Sequence, residues 1–221
     1  DIIKLADKLD AVIGCSMMGL SEIPSDSPRF LGMQGMHGRY ASSVALAKAD
    51  LILALGVRFS DRATGKTEKF SLSATKIHVD CDRAEIGKNI PVDLGVCCDI
   101  KDFVKKLTHA VPQRKNTEWI KKVEQLKQRE ADAYEGLPFL PRDTINIMSD
   151  IVKPDTRIVT DVGQHQCWTA QFFKFRNKRT WITSGGLGTM GYGLGASIGA
   201  KMGVPDKTVV NIAGDGCFRM N

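Results

Sequence analysis

Short apolar segments alternate with helical patterns along most of the chain, and this alternation limits the fold more than any other feature. The segments are rich in Val, Ile and Leu and are typical of strands buried on both faces. They occur at residues 11–15, 51–56, 76–80, 94–97, 157–161, 180–183 and 207–213, with helical patterns at 39–49, 100–107, 142–152 and 188–203. Parallel strands joined by helices form doubly wound sheets, so the sequence predicts an α/β fold.

The alternation stops between residues 108 and 140. This stretch contains a charged helix that ends near Ala133, followed by the Pro-bounded segment EGLPFLPRD. A change of composition with Pro on both sides is typical of a connection between domains. We therefore predict an α/β domain over residues 1–110, a helical connector over 111–140 and a second α/β domain over 141–221.

The positive charge of the chain is concentrated in this connector and in the residues just before it. The net charge is +6, and residues 101–130 contain nine Lys or Arg against four acids. These bases are mixed with acids and lack interleaved aromatic residues, which favours a solvated helix over a nucleic-acid surface. No apolar run approaches the roughly 20 residues that a membrane span requires. We expect neither nucleic acid nor a membrane as a partner.

The six cysteines predict neither a zinc site nor a disulfide framework. No Cys-x-x-Cys pair occurs, and the adjacent Cys97 and Cys98 are poorly placed to share a tetrahedral metal. Cysteines in strand-like segments usually behave as small buried hydrophobic residues. Their use favours a reducing, cytoplasmic compartment.

A Gly-Asp-Gly turn, residues 214–216, directly follows the last apolar segment. Ligands of open α/β sheets bind beyond the carboxyl ends of the strands. A carboxylate between two glycines there suits a magnesium ion that bridges to a diphosphate. An ordinary Asp-Gly turn explains the same three residues equally well.

The segment SGGLGTMGYGLG, residues 184–195, satisfies the pattern G-x-G-x-x-G through Gly186, Gly188 and Gly191. It follows a strand and precedes a helix, and Asp215 comes about 20–25 residues later, where a dinucleotide site has its ribose-binding acid. An NAD(P)-dependent oxidoreductase is therefore an open alternative. The unusually many glycines in the following helix count against it.

The segment DVGQHQ, residues 161–166, lies at the end of another strand. Gln164 and His165 would emerge together above the sheet, where their side chains could hydrogen-bond a phosphate or a reaction intermediate. A polar loop with one surface histidine is the alternative interpretation.

In the first half of the chain, Arg58 and Arg62 are spaced to present guanidinium groups to a phosphate. Asp80 ends a strand, where a carboxylate can bind a ribose hydroxyl. Arg–Asp pairing at the surface within RFSDR explains the arginines equally well.

Seven segments, in this order, resemble acetolactate synthase. They are MGL at 18–20, LGMQGMHG at 31–38, GVRFSDRATGK at 56–66, HVDCDRAEIGKN at 78–89, DVGQHQCWTAQFFKFR at 161–176, SGGLGTMGYGLGASIGA at 184–200 and AGDGCFRMN at 213–221. The resemblance covers nearly the whole chain apart from residues 108–140. Several long motifs in register are far more specific than one glycine pattern. The chain is thus identified as similar to the large catalytic subunits of the acetolactate (acetohydroxyacid) synthase family, which depend on thiamine diphosphate.

The resemblance implies a Rossmann-like, FAD-binding central domain that lacks its first strand, followed by the first part of a diphosphate-binding domain. The residues expected to contact FAD are Ser16, Met17, Met36, His37, Gly56, Arg58, Arg62, Asp80, Cys81, Asp99 and Ile100. Those expected to bind thiamine diphosphate are Val162, Gly163, Gln164, His165, Gly188, Met190, Gly214 and Gly216. Asp215 would bind Mg²⁺, and Gln164 and His165 would be catalytic. The family usually has Asp in place of Ser60 and Ser in place of Cys217.

For the complete protein, the resemblance implies decarboxylation of pyruvate on thiamine diphosphate. The two-carbon unit is then ligated to a second 2-ketoacid, pyruvate or 2-ketobutyrate, in branched-chain amino acid biosynthesis. FAD would organise the site without net redox. The family implies a homodimer or homotetramer, with a regulatory subunit as a further partner.

The family's catalytic glutamate and second protein ligand of magnesium have no counterpart in the sequence. We therefore expect the chain to be a piece of a longer protein and to be inactive alone. A non-catalytic FAD-binding module is a further alternative.

Overall fold

The computed structural model describes all residues 1–221, which form two compact units. Unit 1 comprises Asp1–Ser16 and Gln34–Glu135, and unit 2 comprises Met17–Met33 and Gly136–Asn221. In chain order the helices and strands are α1 (Ile2–Leu9), β1 (Ile13–Cys15), β2 (Phe30–Met33), α2 (Tyr40–Lys48), β3 (Leu51–Leu55), α3 (Asp61–Thr64), β4 (Thr75–Asp80), β5 (Leu94–Cys97), α4 (Ile100–Ala110), α5 (Thr117–Asp132), α6 (Pro141–Ile151), β6 (Arg157–Thr160), α7 (Gln164–Phe172), β7 (Trp181–Thr183), α8 (Tyr192–Gly203), β8 (Val209–Ile212) and α9 (Asp215–Phe218). None of these helices has the length and apolar character needed to cross a membrane.

Unit 1 is built on a parallel three-stranded sheet in the order β3-β4-β5. The middle strand is the most buried, and Val79 and His78 are fully enclosed. Apolar residues on one side form a core cluster of Ile52, Ala54, Phe59, Phe70, Ala74 and Ile90. Because all three strands run the same way, their carboxyl ends meet at one edge of the sheet.

Helix α5, in the predicted connector, packs against α2 within unit 1. Val123 and Leu126 on its inner face are buried. Glu130 is only 5% exposed, and its Oε1 accepts hydrogen bonds from Arg39 Nε at 2.8 Å and from the Tyr40 N–H at 2.9 Å. A carboxylate at this position complements the positive end of the α2 dipole. The charged helix is therefore not solvated on every side, while the predicted limits at residues 110 and 140 stay a prediction.

Unit 2 contains a second parallel sheet, in the order β7-β6-β8. Its middle strand is again enclosed, and Ile158, Val159 and Thr160 are fully buried. Helix α8 packs on β6 and β8, and α6 packs on α7. Two parallel sheets flanked by helices confirm the predicted α/β class.

Four elements were not predicted from the sequence. Strand β2 is four residues long and contains a glycine. Helices α3 and α9 are single turns. Helix α7 has no amphipathic pattern because it buries the polar Gln166 and Thr169. Helix α8 was predicted but begins at Tyr192 rather than at residue 188, because Gly188 and Gly191 have positive φ angles and form turns before it.

Candidate functional site

Three segments of unit 2 lie at the carboxyl ends of its strands, where ligands of open α/β sheets bind. They are the strand-end segment, residues 161–165 after β6, the glycine segment, residues 184–193 before α8, and the metal-motif segment, residues 213–217 after β8. Because β6 lies between β7 and β8, the strand-end segment is the central one. All predicted thiamine diphosphate residues lie in these three segments.

The side chain of Asp161 joins the strand-end segment to the glycine segment. Its Oδ1 accepts hydrogen bonds from the Val162 N–H at 2.9 Å and the Gly191 N–H at 2.9 Å. Its Oδ2 accepts one from the Gly193 N–H at 2.8 Å. A Cβ on Gly193 would lie 2.9 Å from that oxygen, so the contact requires a glycine. Asp161 is 1% exposed and therefore makes these bonds out of contact with water.

Hydrogen bonding keeps this buried carboxylate ionised. Burial raises the pKa of Asp161, but the N–H groups of Gly193 and Val162, the Cys217 thiol and the Gly191 N–H lower it, and on balance the pKa lies below its ordinary value. Donors that favour the charged form of a carboxylate have this effect.

Cys217 connects the metal-motif segment to the strand-end segment. Its thiol is buried and donates to the carbonyl oxygen of Val162 at 3.1 Å. Burial and the nearby Asp161 charge both raise the pKa of this thiol. Cys217 is therefore a neutral hydrogen-bond donor, and reactivity as a thiolate is not expected.

The imidazole ring of His165 packs against two glycines. A Cβ on Gly163 would lie 3.0 Å from its Cε1, and a Cβ on Gly214 would lie 3.3 Å from both Cε1 and Nδ1. Its Nε2 is out of contact with solvent and has no hydrogen-bond partner in the protein. Burial lowers the pKa of His165, and the charge and carbonyl of Asp161 oppose this only in part. The structure thus holds a neutral imidazole with a free nitrogen.

We expect His165 to titrate below its ordinary value of 6.5 in the folded protein. The unfolded chain then binds more protons than the folded one between the two pKa values. The free energy of unfolding consequently rises with pH through this window, and stability is lost as the pH falls below 6.5. An NMR titration of the His165 Cε1 proton, assigned with His165→Gln, measures it. A ring that titrates at or above 6.5 would contradict the expectation.

The other predicted residues of unit 2 are largely accessible. Gln164 is exposed at the start of α7, and Met190 is 46% exposed. The Asp215 side chain is exposed and makes no hydrogen bond or ion pair. An open cleft of about 510 Å³ lies beside Asp215 and Gly214. The arrangement places an exposed carboxylate and an exposed amide along one edge of the sheet, close to the enclosed, unpartnered Nε2 of His165.

The geometry does not support the alternative of an NAD(P)-dependent oxidoreductase. In a dinucleotide site the ribose-binding acid follows the strand next to the glycine turn. Here β6 separates β7 from β8, so two strand spacings, about 10 Å, lie between their ends. The Gly191 and Gly193 N–H groups, which would have to face a pyrophosphate, already bind Asp161.

In unit 1, five of the residues predicted to contact FAD follow the carboxyl ends of adjacent strands. They are Gly56 after β3, Asp80 and Cys81 at the end of β4, and Asp99 and Ile100 after β5. The Gly56 N–H donates to the Val79 carbonyl at 2.9 Å, and a Cβ on Gly56 would lie 2.9 Å from Ile100 Cδ1. These residues therefore share one edge of the sheet.

Two of those acids already accept local hydrogen bonds. Asp80 Oδ1 accepts from the Asp82 N–H at 2.9 Å. Asp99 Oδ1 accepts from the Asp102 N–H at 3.0 Å and caps α4. Each keeps a second oxygen for a ligand.

A separate group of predicted FAD residues lies where the segment before α2 meets the segment around α3. The Met36 N–H donates to the Arg62 carbonyl at 2.9 Å, and Arg62 Nη1 lies 3.9 Å from Met36 Sδ. His37 next to Met36 is exposed, as is Arg58, whose guanidinium makes no ion pair. These side chains are accessible to a phosphate.

Ser16 and Met17 fall on either side of the boundary between the units. Ser16 ends the first stretch of unit 1, whereas Met17 belongs to unit 2. There its carbonyl accepts a hydrogen bond from Trp181 Nε1 at 3.0 Å. Their contact with FAD stays a prediction.

Sequence reasoning missed the role of Asp161. An acid directly after a buried strand was a usable signal, but only Asp215, flanked by two glycines, was selected. Gln166, the last residue of the DVGQHQ motif, points inward, and its Nε2 donates to Thr183 Oγ1 at 2.7 Å.

Comparison with protein families places this two-unit α/β chain in the class of thiamine pyrophosphate enzymes. Residues 1–107 match the family described as "Thiamine pyrophosphate enzyme, central domain". Residues 161–221 match "Thiamine pyrophosphate enzyme, C-terminal TPP binding domain". Together the matches cover about three quarters of the chain, which therefore belongs to the thiamine pyrophosphate enzyme family.

Similar curated proteins are acetolactate synthases, which confirms the resemblance. The chain is 40% identical over 217 residues to the acetolactate synthase large subunit of Lactococcus lactis, covering 97% of this chain and 38% of that protein. It is 42% identical over 220 residues to the isozyme 1 large subunit of Escherichia coli, covering 99% and 39%. It is 42% identical over 215 residues to the chloroplastic acetolactate synthase 1 of Oryza sativa, covering 93% and 33%. The chain thus spans between a third and two fifths of these relatives.

Proposed function

We propose that this chain is part of an acetolactate synthase that binds thiamine diphosphate, Mg²⁺ and FAD. In this proposal the complete protein decarboxylates pyruvate and ligates the two-carbon unit to a second 2-ketoacid. The observation that carries it is that the strand-end segment is bonded to both other segments, in the part of the chain that matches a thiamine diphosphate-binding domain. Asp161 bonds it to the glycine segment, and the Val162 carbonyl bonds it to Cys217 of the metal-motif segment. The names of the relatives support the choice of reaction.

The residues of unit 2 fit thiamine diphosphate. The His165 ring has an unpartnered Nε2, and Gln164 beside it is exposed. When bound, this cofactor supplies the nucleophilic carbon and the electron sink for decarboxylating a 2-ketoacid. A neutral imidazole and an amide suit hydrogen bonding to the cofactor or to the reacting carbonyl.

The proposed Mg²⁺ ligand is Asp215. No cluster of three or more His, Cys, Asp or Glu side chains that could hold a metal occurs in the chain. Magnesium does not require one, because it is commonly held by one or two carboxylates together with phosphate oxygens and water. The free Asp215 carboxylate, next to two glycines, fits that mode. Its task would be to orient the ion that neutralises the diphosphate.

The proposed FAD site lies in unit 1. An unpaired, exposed Arg58 together with Arg62 provides guanidinium groups for the phosphates. Gly56 and Asp80 at the sheet edge provide the close approach and the carboxylate that a nucleotide requires. A homodimer or homotetramer and a regulatory subunit are further parts of the proposal.

The test is acetolactate formation from pyruvate by the full-length protein, with thiamine diphosphate, Mg²⁺ and FAD omitted one at a time. We expect activity only when all three are present. Carboligation without FAD would remove FAD from the proposal. Tight FAD binding with no carboligation under any condition would favour the non-catalytic alternative instead.

A further inference from the structure

One buried carboxylate joins two of the three segments that make up the proposed thiamine diphosphate site. Asp161 accepts from the Val162 N–H in the strand-end segment and from the Gly191 and Gly193 N–H groups at the start of α8. The third segment, the metal-motif segment, is attached beside it, where the Cys217 thiol donates to the Val162 carbonyl at 3.1 Å. Neither the sequence motifs nor the relatives assign Asp161 a role.

We propose that Asp161 is a positioning residue of the thiamine diphosphate site. It sets the distance between Gln164 and His165 on one side and Met190 on the other. The inference rests on the proposed function, but the contacts that carry it belong to the chain itself. Asp161 touches no cofactor in this scheme and acts through the segments that do.

The chemistry of these three contacts specifies a carboxylate. Three backbone N–H groups all donate, two to Oδ1 and one to Oδ2, so the central group has to be an acceptor at both oxygens. An ionised Asp meets this requirement, whereas Asn offers one acceptor and one donor. In an Asp161→Asn variant, the N–H₂ group of the new amide would be set against a backbone N–H.

Space excludes a larger side chain as well. A Cβ on Gly193 would lie 2.9 Å from Asp161 Oδ2 and 3.1 Å from Asp161 Cβ. The same Cβ would lie 2.8 Å from Asn211 Oδ1. The start of α8 is therefore closed around the carboxylate, and a longer Glu would force it away from the strand.

The carboxylate also determines where the diphosphate does not bind. The first turn of α8 would otherwise attract an anion, because its N–H groups and its dipole point outwards. With the Gly191 and Gly193 N–H groups bound to a negative charge, that turn is disfavoured for a second anion.

The test is Asp161→Asn in the full-length protein, with Asp150→Asn as the matched control. Asp150 lies in α6 of the same unit and pairs with Lys174 and Arg176 at the surface, away from the three segments. The readouts are the thermal midpoint, the half-saturating concentration of thiamine diphosphate with Mg²⁺, and kcat at saturating cofactor. For Asp161→Asn we expect at least about a tenfold rise in half-saturating cofactor, the usual effect of removing a group that orients ligands. Asp150→Asn should leave it unchanged.

The outcomes distinguish a failure of the proposed function from a failure of the positioning role of Asp161. If the parent protein neither binds thiamine diphosphate nor forms acetolactate, the proposed function fails. If the parent does both and Asp161→Asn lowers only the thermal midpoint, with cofactor affinity and kcat unchanged, the residue is purely structural and the positioning role is wrong.

A second pair of variants covers the case in which Asp161→Asn does not fold. In Gly193→Ala the new Cβ would lie 2.9 Å from Asp161 Oδ2 and displace the carboxylate, whereas in Gly195→Ala of the same helix the new Cβ meets no atom within 4 Å. The positioning role predicts weaker cofactor binding for Gly193→Ala than for Gly195→Ala, by about tenfold, the usual effect of displacing a group that orients ligands. Equal affinities would overturn it.

Discussion

Replacing Asp215 by Ala in the full-length protein is expected to lower acetolactate formation by more than about a hundredfold, because the proposed magnesium ion would lose its protein carboxylate. The same change should leave stability almost unaltered. Asp215 is exposed and has no hydrogen-bond or ion-pair partner, so its removal breaks no contact within the protein. The combination of a large functional loss with a small structural one is typical of a ligand-binding residue.

The measurement is the Mg²⁺ dependence of activity, together with the thermal midpoint of the apoprotein. We expect the magnesium concentration at half activity to rise steeply in the variant. Asp206→Ala is the matched control, since Asp206 is also an exposed acid of unit 2 and its carboxylate pairs only with Lys207. If Asp215→Ala and Asp206→Ala respond to Mg²⁺ alike, Asp215 is an ordinary turn residue.

Periodicity in the sequence was sufficient to predict the α/β class. The middle strands β4 and β6 are the most buried, and their Val and Ile residues made that burial predictable. The edge strand β5 is more exposed, with three of its four residues exposed. Fully enclosed residues such as Val79 and Ile158 lie in segments predicted as strands. Helix α7 was not predicted because its buried face is polar. It buries Gln166 and Thr169, whose polar groups are satisfied by bonds to Thr183 and to the His165 carbonyl, so no apolar stripe marks it.

The candidate site could also be predicted only in part. Gln164, His165 and Asp215 lie in local motifs, so their position after strands and the resemblance both pointed to them. The sequence offers only a weak signal for Asp161, an acid after a strand, because its partners in the glycine segment are 30 and 32 positions away along the chain. Its role becomes visible only when the end of β6 and the start of α8 are brought together. The packing of the charged helix α5 on α2 could not be predicted for the same reason. In the sequence Glu130 looks like any surface acid, because its partners lie about 90 positions away along the chain.

The largest loss of stability is expected from Gly35→Ala, which should reduce the free energy of unfolding by about 3 kcal/mol or more. Gly35 has a φ angle of +100°, a conformation that other residues rarely adopt. An added Cβ would lie 2.5 Å from the carbonyl oxygen of Arg62 and 2.9 Å from the Cα of Ala63. Both neighbours are backbone atoms, so no side chain can rotate away. The segment before α2 would have to separate from the segment around α3.

Gly65→Ala is the control that separates these two causes. Gly65 also has a positive φ, +64°, but an added Cβ there would meet no atom within 4 Å. With a ψ of −133° Gly65 lies in a backbone region nearly restricted to glycine, so its substitution should cost only the conformational strain, about 1–3 kcal/mol. Urea unfolding of both variants measures the difference, which is the cost of the backbone collision. Because the Met36–Arg62 hydrogen bond adjoins Gly35, Gly35→Ala should also weaken FAD binding, measured by flavin absorbance, while Gly65→Ala should not. Equal losses of stability in the two variants would show that φ strain, and not the collision, governs this turn.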